Sequence, residues 1–381
     1  MVLHSPHALR RILYRPHELG MARAYVLGEL TVEGDELAAL RGLQQGSAEL
    51  SVSPPALAAT IARAARLGVL GRPLPPPPEE VRLHGRVHSR GRDAHAITHH
   101  YDVGNDFYRL LLGESMTYSC ARFQRPDDSL EAAQDAKHDL ICRKLGLGPG
   151  MRLLDVGCGW GGMLLHAASK YEIEGLGVTI SRSQWELARK RVADAGLAGR
   201  VEIRLQDYRE LANEPNRFDA ISSIGMFEHV GRSRMAEYFR VLSGLLRPRG
   251  RLLNHAISTP GGLQNDPRRS FVARYVFPDG ELQDVAMVQS AMQDRGLEVR
   301  DVEALREHYA LTLRRWVANL EAGWAEAVAL AGERRARVWR LHMLGSIVSF
   351  EAAEIGVHQV LGVKPDEHGS SGMPLTRAGM V

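Results

Sequence analysis

The run Asp155-Val156-Gly157-Cys158-Gly159-Trp160-Gly161-Gly162 sets a carboxylate two residues ahead of a glycine turn. The apolar residues from Met151 to Val156 read as a buried strand that stops at this turn, and a helix follows. Gly157 and Gly159 let backbone N–H groups approach a ligand with no Cβ in the way, and Gly161 and Gly162 let the helix pack close. A nucleotide-like cofactor fits such a turn. The spacing Gly157-x-Gly159-x-x-Gly162 also matches a dinucleotide fingerprint, which alone is a weak signal. A dinucleotide site calls for an acid about 20 residues further on. The next predicted strand, Gly175–Ile180, ends without one. Asp155 suits the cationic amino-acid end of S-adenosylmethionine, so that cofactor is the favoured occupant. A nicotinamide or flavin, or a purely structural turn, are the competing readings.

Other chemistry-bearing residues follow the later predicted strands. After the second comes Thr179-Ile180-Ser181-Arg182-Ser183-Gln184. Ribose hydroxyls would there meet hydroxyls and an amide, Gln184 foremost, while Ser181 serves equally well as a helix N-cap. After the third comes Gln206-Asp207-Tyr208, where an adenine would lie. Asp207 can accept from its exocyclic amine, and Tyr208 can pack on the base. After the fourth comes Phe227-Glu228-His229. A carboxylate and an imidazole at a strand's C-terminal end are costly to bury without a role. Glu228 is therefore the first candidate for a catalytic or base-organising residue, and His229 reads more readily as a structural histidine. His255 ends the next strand and should face the same cleft, and Tyr309 is a further polar candidate. Cys120 has the chemistry of a nucleophile but no adjacent base to activate it. No spacing of His, Cys and acids matches a metal site.

These residues need a scaffold that delivers them to one place. Strands are expected at Arg152–Val156, Gly175–Ile180, Val201–Arg204, Asp219–Ile224 and Arg251–Ala256. Helices are expected at Leu130–Leu145, Met163–Lys170, Ser183–Ala195 and Arg234–Leu246. Such alternation implies an α/β fold: a mostly parallel, Rossmann-like sheet covered on both faces, with ligands beyond the carboxyl ends of its strands. A loop-rich insert follows from about Pro260 to Gln283. A last antiparallel strand is expected at Leu297–Val302, then helix from Thr312 to Leu361, then a partly disordered tail after Gly362. Arg72-Pro73-Leu74-Pro75-Pro76-Pro77-Pro78 reads as an extended spacer. It divides the chain into an N-terminal unit (1–72), a proline-rich linker (73–94) and a main domain (95–381). The N-terminal unit carries a helix-to-strand pattern over Ala22–Val32 and an amphipathic stretch over Pro54–Leu70. Arg10, Arg11 and Arg15 near its start read as a solvated face.

The chain has 381 residues and a net charge of +3, too mildly basic to suggest nucleic acid as a partner. Nearly all of the positive charge is arginine. The three cysteines point to a reducing compartment rather than a disulfide scaffold. No apolar signal core or membrane-spanning run stands out. The expected location is cytoplasmic, with room for peripheral contact with a membrane.

His100-Tyr101-Asp102-Val103-Gly104-Asn105-Asp106-Phe107-Tyr108, Thr117-Tyr118-Ser119-Cys120, Leu154–Gly161 and Phe227-Glu228-His229-Val230-Gly231, in this order, strongly resemble the cyclopropane-fatty-acyl-phospholipid synthase family and its mycolic-acid relatives. The resemblance covers the chain after the proline segment. It reaches into Glu18–Val26, which looks like the accessory, lipid-docking domain of the phospholipid-acting members. Phe271–Leu282 and His358-Gln359-Val360-Leu361 look closest to the branch that makes 10-methylene or 10-methyl fatty acids of the tuberculostearic type. The resemblance implies a class I methyltransferase sheet with a helical lid insert. It implies a homodimer, unsaturated phospholipid acyl chains at the inner membrane surface as substrate, and in the 10-methyl branch a separate reductase. It also implies bicarbonate as the base. Cys120 and Ile257 would hold it through backbone groups, and Glu228, His255 and Tyr309 through side chains. The cofactor would be held by Tyr118, Ser119, Gly157, Gly159, Thr179, Gln184 and Asp207.

The implied chemistry is coherent. The sulfonium methyl is a strong electrophile and a cis alkene a poor nucleophile, so alignment supplies much of the catalysis. The carbocation formed needs a dry pocket and one positioned base. Loss of a proton from the new methyl closes a cyclopropane; a prior hydride shift leaves a methylene branch. Two alternatives stand beside this expectation. One is methylation of a small hydrophobic metabolite, and the other is a catalytically dead lipid-binding protein.

Overall fold

Adjacent apolar residues along the strands point to opposite faces, and two cores result. Leu153 packs with Ile141, Met163 and Leu164 on one side of the sheet, and its neighbour Leu154 packs with Leu176, Ile221 and Tyr238 on the other. Leu252 and Leu253, and Val360 and Leu361, divide in the same way. The computed structural model describes residues 1–46, 62–63, 65–66, 68–81, 87, 89, 91–93, 103–261 and 270–380. Most of the amphipathic stretch expected over 54–70, and most of the linker past 81, lie outside the described residues.

The chain begins with β1 (Val2–Leu3), α1 (Pro6–Tyr14), α2 (Glu18–Val26), β2 (Leu30–Thr31) and α3 (Glu36–Gly46). The main domain runs α4 (Asn105–Leu112), α5 (Leu130–Leu145), β3 (Arg152–Val156), α6 (Gly162–Tyr171), β4 (Glu174–Thr179), α7 (Arg182–Asp194), β5 (Val201–Leu205), β6 (Phe218–Ile224), α8 (Met235–Leu245) and β7 (Leu246–Ser258). It finishes with α9 (Phe271–Tyr275), α10 (Val285–Gln293), β8 (Glu298–Ala304), α11 (Arg306–Ala322), α12 (Trp324–Ala331), α13 (Glu333–Glu351) and β9 (Gly356–Val363). Side-chain caps set some helix starts: Ser129 accepts from Ala132 N–H at α5, and Asp284 from Ala286 N–H at α10. At its other end α5 stops on Gly146 in the left-handed conformation.

The large sheet has the order β5-β4-β3-β6-β7-β9-β8. β3 to β7 pair in parallel, and β9 runs antiparallel between β7 and β8. The winding reverses between β3 and β6, which opens a crevice at their carboxyl ends.

The sequence expectations need correcting in three places. Helix does not continue to Leu361: α13 ends at Glu351 and β9 follows. β9 is buried on both sides, so it lacks the alternation that marks a half-exposed strand. The tail after Gly362 is held down. Lys364 donates to Leu246 C=O at 2.7 Å, Arg377 pairs with Asp301, and Met380 is buried. The arginines of α1 are not a solvated face throughout: Arg10 donates to Val69 C=O at 2.8 Å, and Arg11 pairs with Glu29 at 2.8 Å.

The N-terminal helices touch the main domain through the insert. Leu19 and Val26 of α2 pack with Phe271 and Tyr275 of α9 and with Val338 of α13. Arg23 forms a bidentate pair with Glu80, each contact 2.8 Å, and Val81 N–H donates to Arg274 C=O at 2.7 Å.

Candidate active site

β3 ends on Gly157 (φ +74°), whose N–H, like that of Cys158, donates to Val178 C=O on β4. Gly159 follows at φ +54°, and a Cβ built there would have nothing within 4 Å. Its open side belongs to the cavity at the switch point. Tyr118, Ser119, Asp155, Gly157, Gly159, Thr179, Gln184, Asp207 and Tyr208 all line this cavity. The structure therefore gathers from three strand ends and one preceding loop the nine residues singled out for the cofactor.

Their side chains are braced. Asp155 is buried and accepts from the Ser222 hydroxyl at 2.7 Å; burial pushes its carboxyl up to about 6. Thr179 Oγ1 donates to Gln184 Oε1 at 2.9 Å, which leaves the Gln184 amide nitrogen as the group with protons to offer. Ser181 accepts from Gln184 N–H at 3.4 Å, so the capping role and the cofactor role coexist. Asp207 accepts from Arg209 N–H at 2.9 Å and pairs with its guanidinium, which also reaches Asp93 at 3.3 Å. Tyr208 is buried edge-on against Tyr238. A cradle that a Cβ would fill, carboxylates at β3 and β5, and an amide at β4 fit an adenosyl amino acid.

The five candidate catalytic residues are not among the cavity walls; Cys120, Glu228 and His255 each adjoin one, and Ile257 and Tyr309 connect to these three. Cys120 follows Ser119, and Glu228 precedes His229, which lines the cavity. His255 pairs in register with Ile224, another wall residue, and its carbonyl accepts from Gly225 N–H at 2.8 Å. Glu228 Oε1 accepts from Ile257 N–H at 2.7 Å. Ile257 pairs across the sheet with Val357, and Val357 C=O accepts from Leu305 N–H at 2.9 Å. Leu305 C=O in turn accepts from Tyr309 N–H at 3.1 Å and from the Cys120 thiol at 3.6 Å. Cys120, Ile257 and Tyr309 belong to one apolar cluster, in which the Tyr309 ring lies 4.6 Å from that of Phe350. Burial pushes the Cys120 thiol up, so it is no thiolate nucleophile. His229 faces Phe277 at 5.8 Å on the cavity side.

Besides Gln359 Oε1, two buried polar atoms here lack a hydrogen-bond partner, Glu228 Oε2 and His255 Nε2. The Glu228 residue is partly covered, but Oε2 is out of contact with solvent. Burial pushes this carboxyl up to about 7, so below that pH it mostly carries a proton. His255 is buried and held well below its usual value, so its ring is neutral. With the Gln359 amide assigned as donor to Nδ1 at 3.2 Å, the ring proton sits on Nε2. Both unpartnered atoms are then donors, and a small anion suits them.

Glu228 also makes stability depend on pH. The folded chain holds its proton at pH values where the unfolded chain, with the ordinary value of 4.5, has released it. That contribution is full below about pH 4.5 and is lost as pH rises through about 7. Glu228→Gln has no such loss. It is expected to gain roughly 3 kcal/mol on the parent between about pH 5 and pH 8, read from urea midpoints.

Sequence reasoning missed Lys137, His138 and Gln134, all buried on α5. The signal was present: polar residues at 134, 137 and 138 fall on the same helical stripe as Leu130, Ala133, Ile141 and Leu145. Gln134 donates to Thr117 C=O at 3.3 Å and Ser119 C=O at 3.0 Å, so it fixes the strip that carries Tyr118 and Cys120.

Residues 88–360 match the family described as mycolic acid cyclopropane synthetase. A probable fatty acid methyltransferase of Mycobacterium tuberculosis is 42% identical over 383 positions, covering 98% of this chain and 88% of that one. The cyclopropane-fatty-acyl-phospholipid synthase of Escherichia coli is 39% identical over 271 positions, covering 71% of this chain and 68% of that one. The crystal structure of mycolic acid cyclopropane synthase CmaA1 complexed with SAH and CTAB superposes with a TM-score of 0.66 at 35% identity, covering 71% of this chain and 97% of that one.

Proposed function

The chain belongs to the mycolic acid cyclopropane synthetase family and is an S-adenosylmethionine-dependent methyltransferase; from that premise we propose that it transfers a one-carbon unit to the cis double bond of an unsaturated fatty acyl chain in a phospholipid. The observation that carries this reading is the buried donor pair, Glu228 Oε2 and His255 Nε2, set beside an apolar cluster and next to the cavity walls. An alkylation that passes through a cation needs this combination of dryness and one proton-handling point.

The cofactor, when bound, supplies an electrophilic methyl. The chain's own residues do the rest. Tyr118, Ser119, Gly157, Gly159, Thr179, Gln184 and Asp207 hold it in the crevice. The cluster around Cys120, Ile257 and Tyr309 keeps water from the cationic acyl chain. Bicarbonate fits the donor pair and would supply the proton acceptor. Glu228, His255 and Tyr309 would hold it by their side chains and Cys120 by its backbone, while the Ile257 N–H serves by fixing Glu228. The product is a cyclopropane or a 10-methylene branch, according to whether a hydride shift precedes loss of the methyl proton.

Residues 1–72 are proposed to dock on a lipid surface. Leu3, Leu13, Tyr14 and Leu70 are exposed apolar groups of this unit, and Arg15 is exposed among them. Among the described residues no helix is long and apolar enough to cross a membrane. The family resemblance extends the proposal to a homodimer and, for a 10-methyl product, to a separate reductase.

Expression in a host with unsaturated phospholipids tests the reading. Mass spectrometry of the fatty acids is expected to show a gain of one CH2 per modified chain, and fragmentation then separates ring from branch. An unaltered profile would favour a small-metabolite methyltransferase or a lipid-binding protein instead.

A further inference from the structure

Lys137 lies on α5 with its side chain fully buried, and it lines the cofactor cavity together with Asp155. Its Nζ donates to Ser119 Oγ at 3.0 Å. Among the described residues no carboxylate lies within ion-pair distance of it, and no cation within that distance of Asp155. A buried lysine without an ionic partner is costly, and the contrast with Lys144 on the same helix makes this plain. Lys144 is equally buried, but it meets Asp301 at 2.8 Å and Glu303 at 2.5 Å. The two walls of the cavity thus offer one potential cation and one potential anion, unpaired with each other. An amino acid carries the complementary two charges.

We infer that Lys137, together with the Ser119 hydroxyl it braces, receives the carboxylate of the cofactor's amino-acid end, while Asp155 receives its ammonium. The inference rests on the cofactor reading and is independent of the lipid substrate. The electrostatics agree. Burial first, opposed by Cys120 and Asp155, leaves Lys137 lowered to about 7, and burial leaves Asp155 raised to about 6. Near neutrality Lys137 is about half charged and Asp155 mostly charged, and a group of opposite sign beside either favours its charged form. Lys137 is therefore a binding residue toward the cofactor, and Gln134 and Ser119 hold its surroundings in place.

Isothermal titration of the full chain with two ligands tests this. S-adenosylhomocysteine carries the amino-acid end; 5′-methylthioadenosine has the same adenosyl thioether without it. Lys137→Met is expected to lower affinity for S-adenosylhomocysteine about tenfold or more, while affinity for methylthioadenosine stays within about twofold. Removing an unpaired buried charge should leave the melting temperature equal or higher. If the methionine variant does not fold, Lys137→Gln, which keeps a donor for Ser119, takes its place with the same expected split. A parent that binds S-adenosylhomocysteine, beside a variant that loses both ligands alike or neither, overturns the inference alone. A parent that binds neither ligand overturns the cofactor reading and this inference with it.

Discussion

Gly159→Ala should lose S-adenosylhomocysteine affinity by about 10- to 100-fold at a stability cost of only roughly 1–2 kcal/mol. The backbone at Gly159 is left-handed, with φ +54°, which costs an alanine roughly 1–2 kcal/mol. The protein itself offers the new methyl no clash, because nothing lies within 4 Å of it. What the methyl meets is the ligand. Overpacking of roughly 1–3 kcal/mol then appears as lost affinity rather than lost stability. Gly177 on β4 provides the opposite case. A Cβ there would sit 2.7 Å from Leu164 Cδ1 and 2.8 Å from Cys158 Sγ, inside the core. Gly177→Ala is expected to lower the melting temperature. Unchanged affinity in Gly159→Ala would remove this glycine from the cofactor cradle.

Glu228→Gln should lower turnover by about 10²-fold or more, with S-adenosylhomocysteine binding as in the parent. Binding is spared because Glu228 is outside the cavity walls. The amide can still accept from Ile257 N–H and can still donate to an anion, so the holding role survives. What it cannot do is give up and regain a proton. A fall in turnover therefore reports on proton movement through this carboxyl. Parent-level turnover on an unsaturated phospholipid would take Glu228 out of the proton route and leave it a positioning residue.

How much was legible in the sequence follows from how each element is stabilised. β3 and the glycine turn were plain: a short apolar run stopped by glycines has few other readings, and the expected Arg152–Val156 coincides with the strand. α5 was equally clear, because Ser129 caps its start and Gly146 ends it. The strand ends then delivered the carboxylate and the amide to one crevice, and Glu228 and His255 to residues that border it. β9 was not legible as a strand. Its residues are buried on both faces between β7 and β8, and a short apolar run of that kind has no period to separate it from helix. Gly356 and the β-branched Val357, Val360 and Val363 were the available hints. Lys137 was missed for a different reason. A lysine in the polar run Gln134-Asp135-Ala136-Lys137-His138-Asp139 reads as surface, and only its place on the apolar stripe marks it as buried. The engagement of Arg10 and Arg11 with carbonyls and Glu29 depends on segments far apart in the chain, which no local pattern encodes.

The position of β9 has a consequence for the order of assembly during translation. The half of the sheet that cradles the cofactor, β3 to β5, is complete in the nascent chain by residue 205. The imidazole of His255 takes its hydrogen bond from Gln359, and Ile257 takes its cross-strand partner from Val357, some hundred residues later. A partly synthesised chain therefore contains the strands of the nucleotide crevice well before it contains the partners of His255 and Ile257. Long-range pairing of this kind forms late and slowly. His255 and Ile257 thus gain these partners only once β9 has been synthesised and has paired with β7.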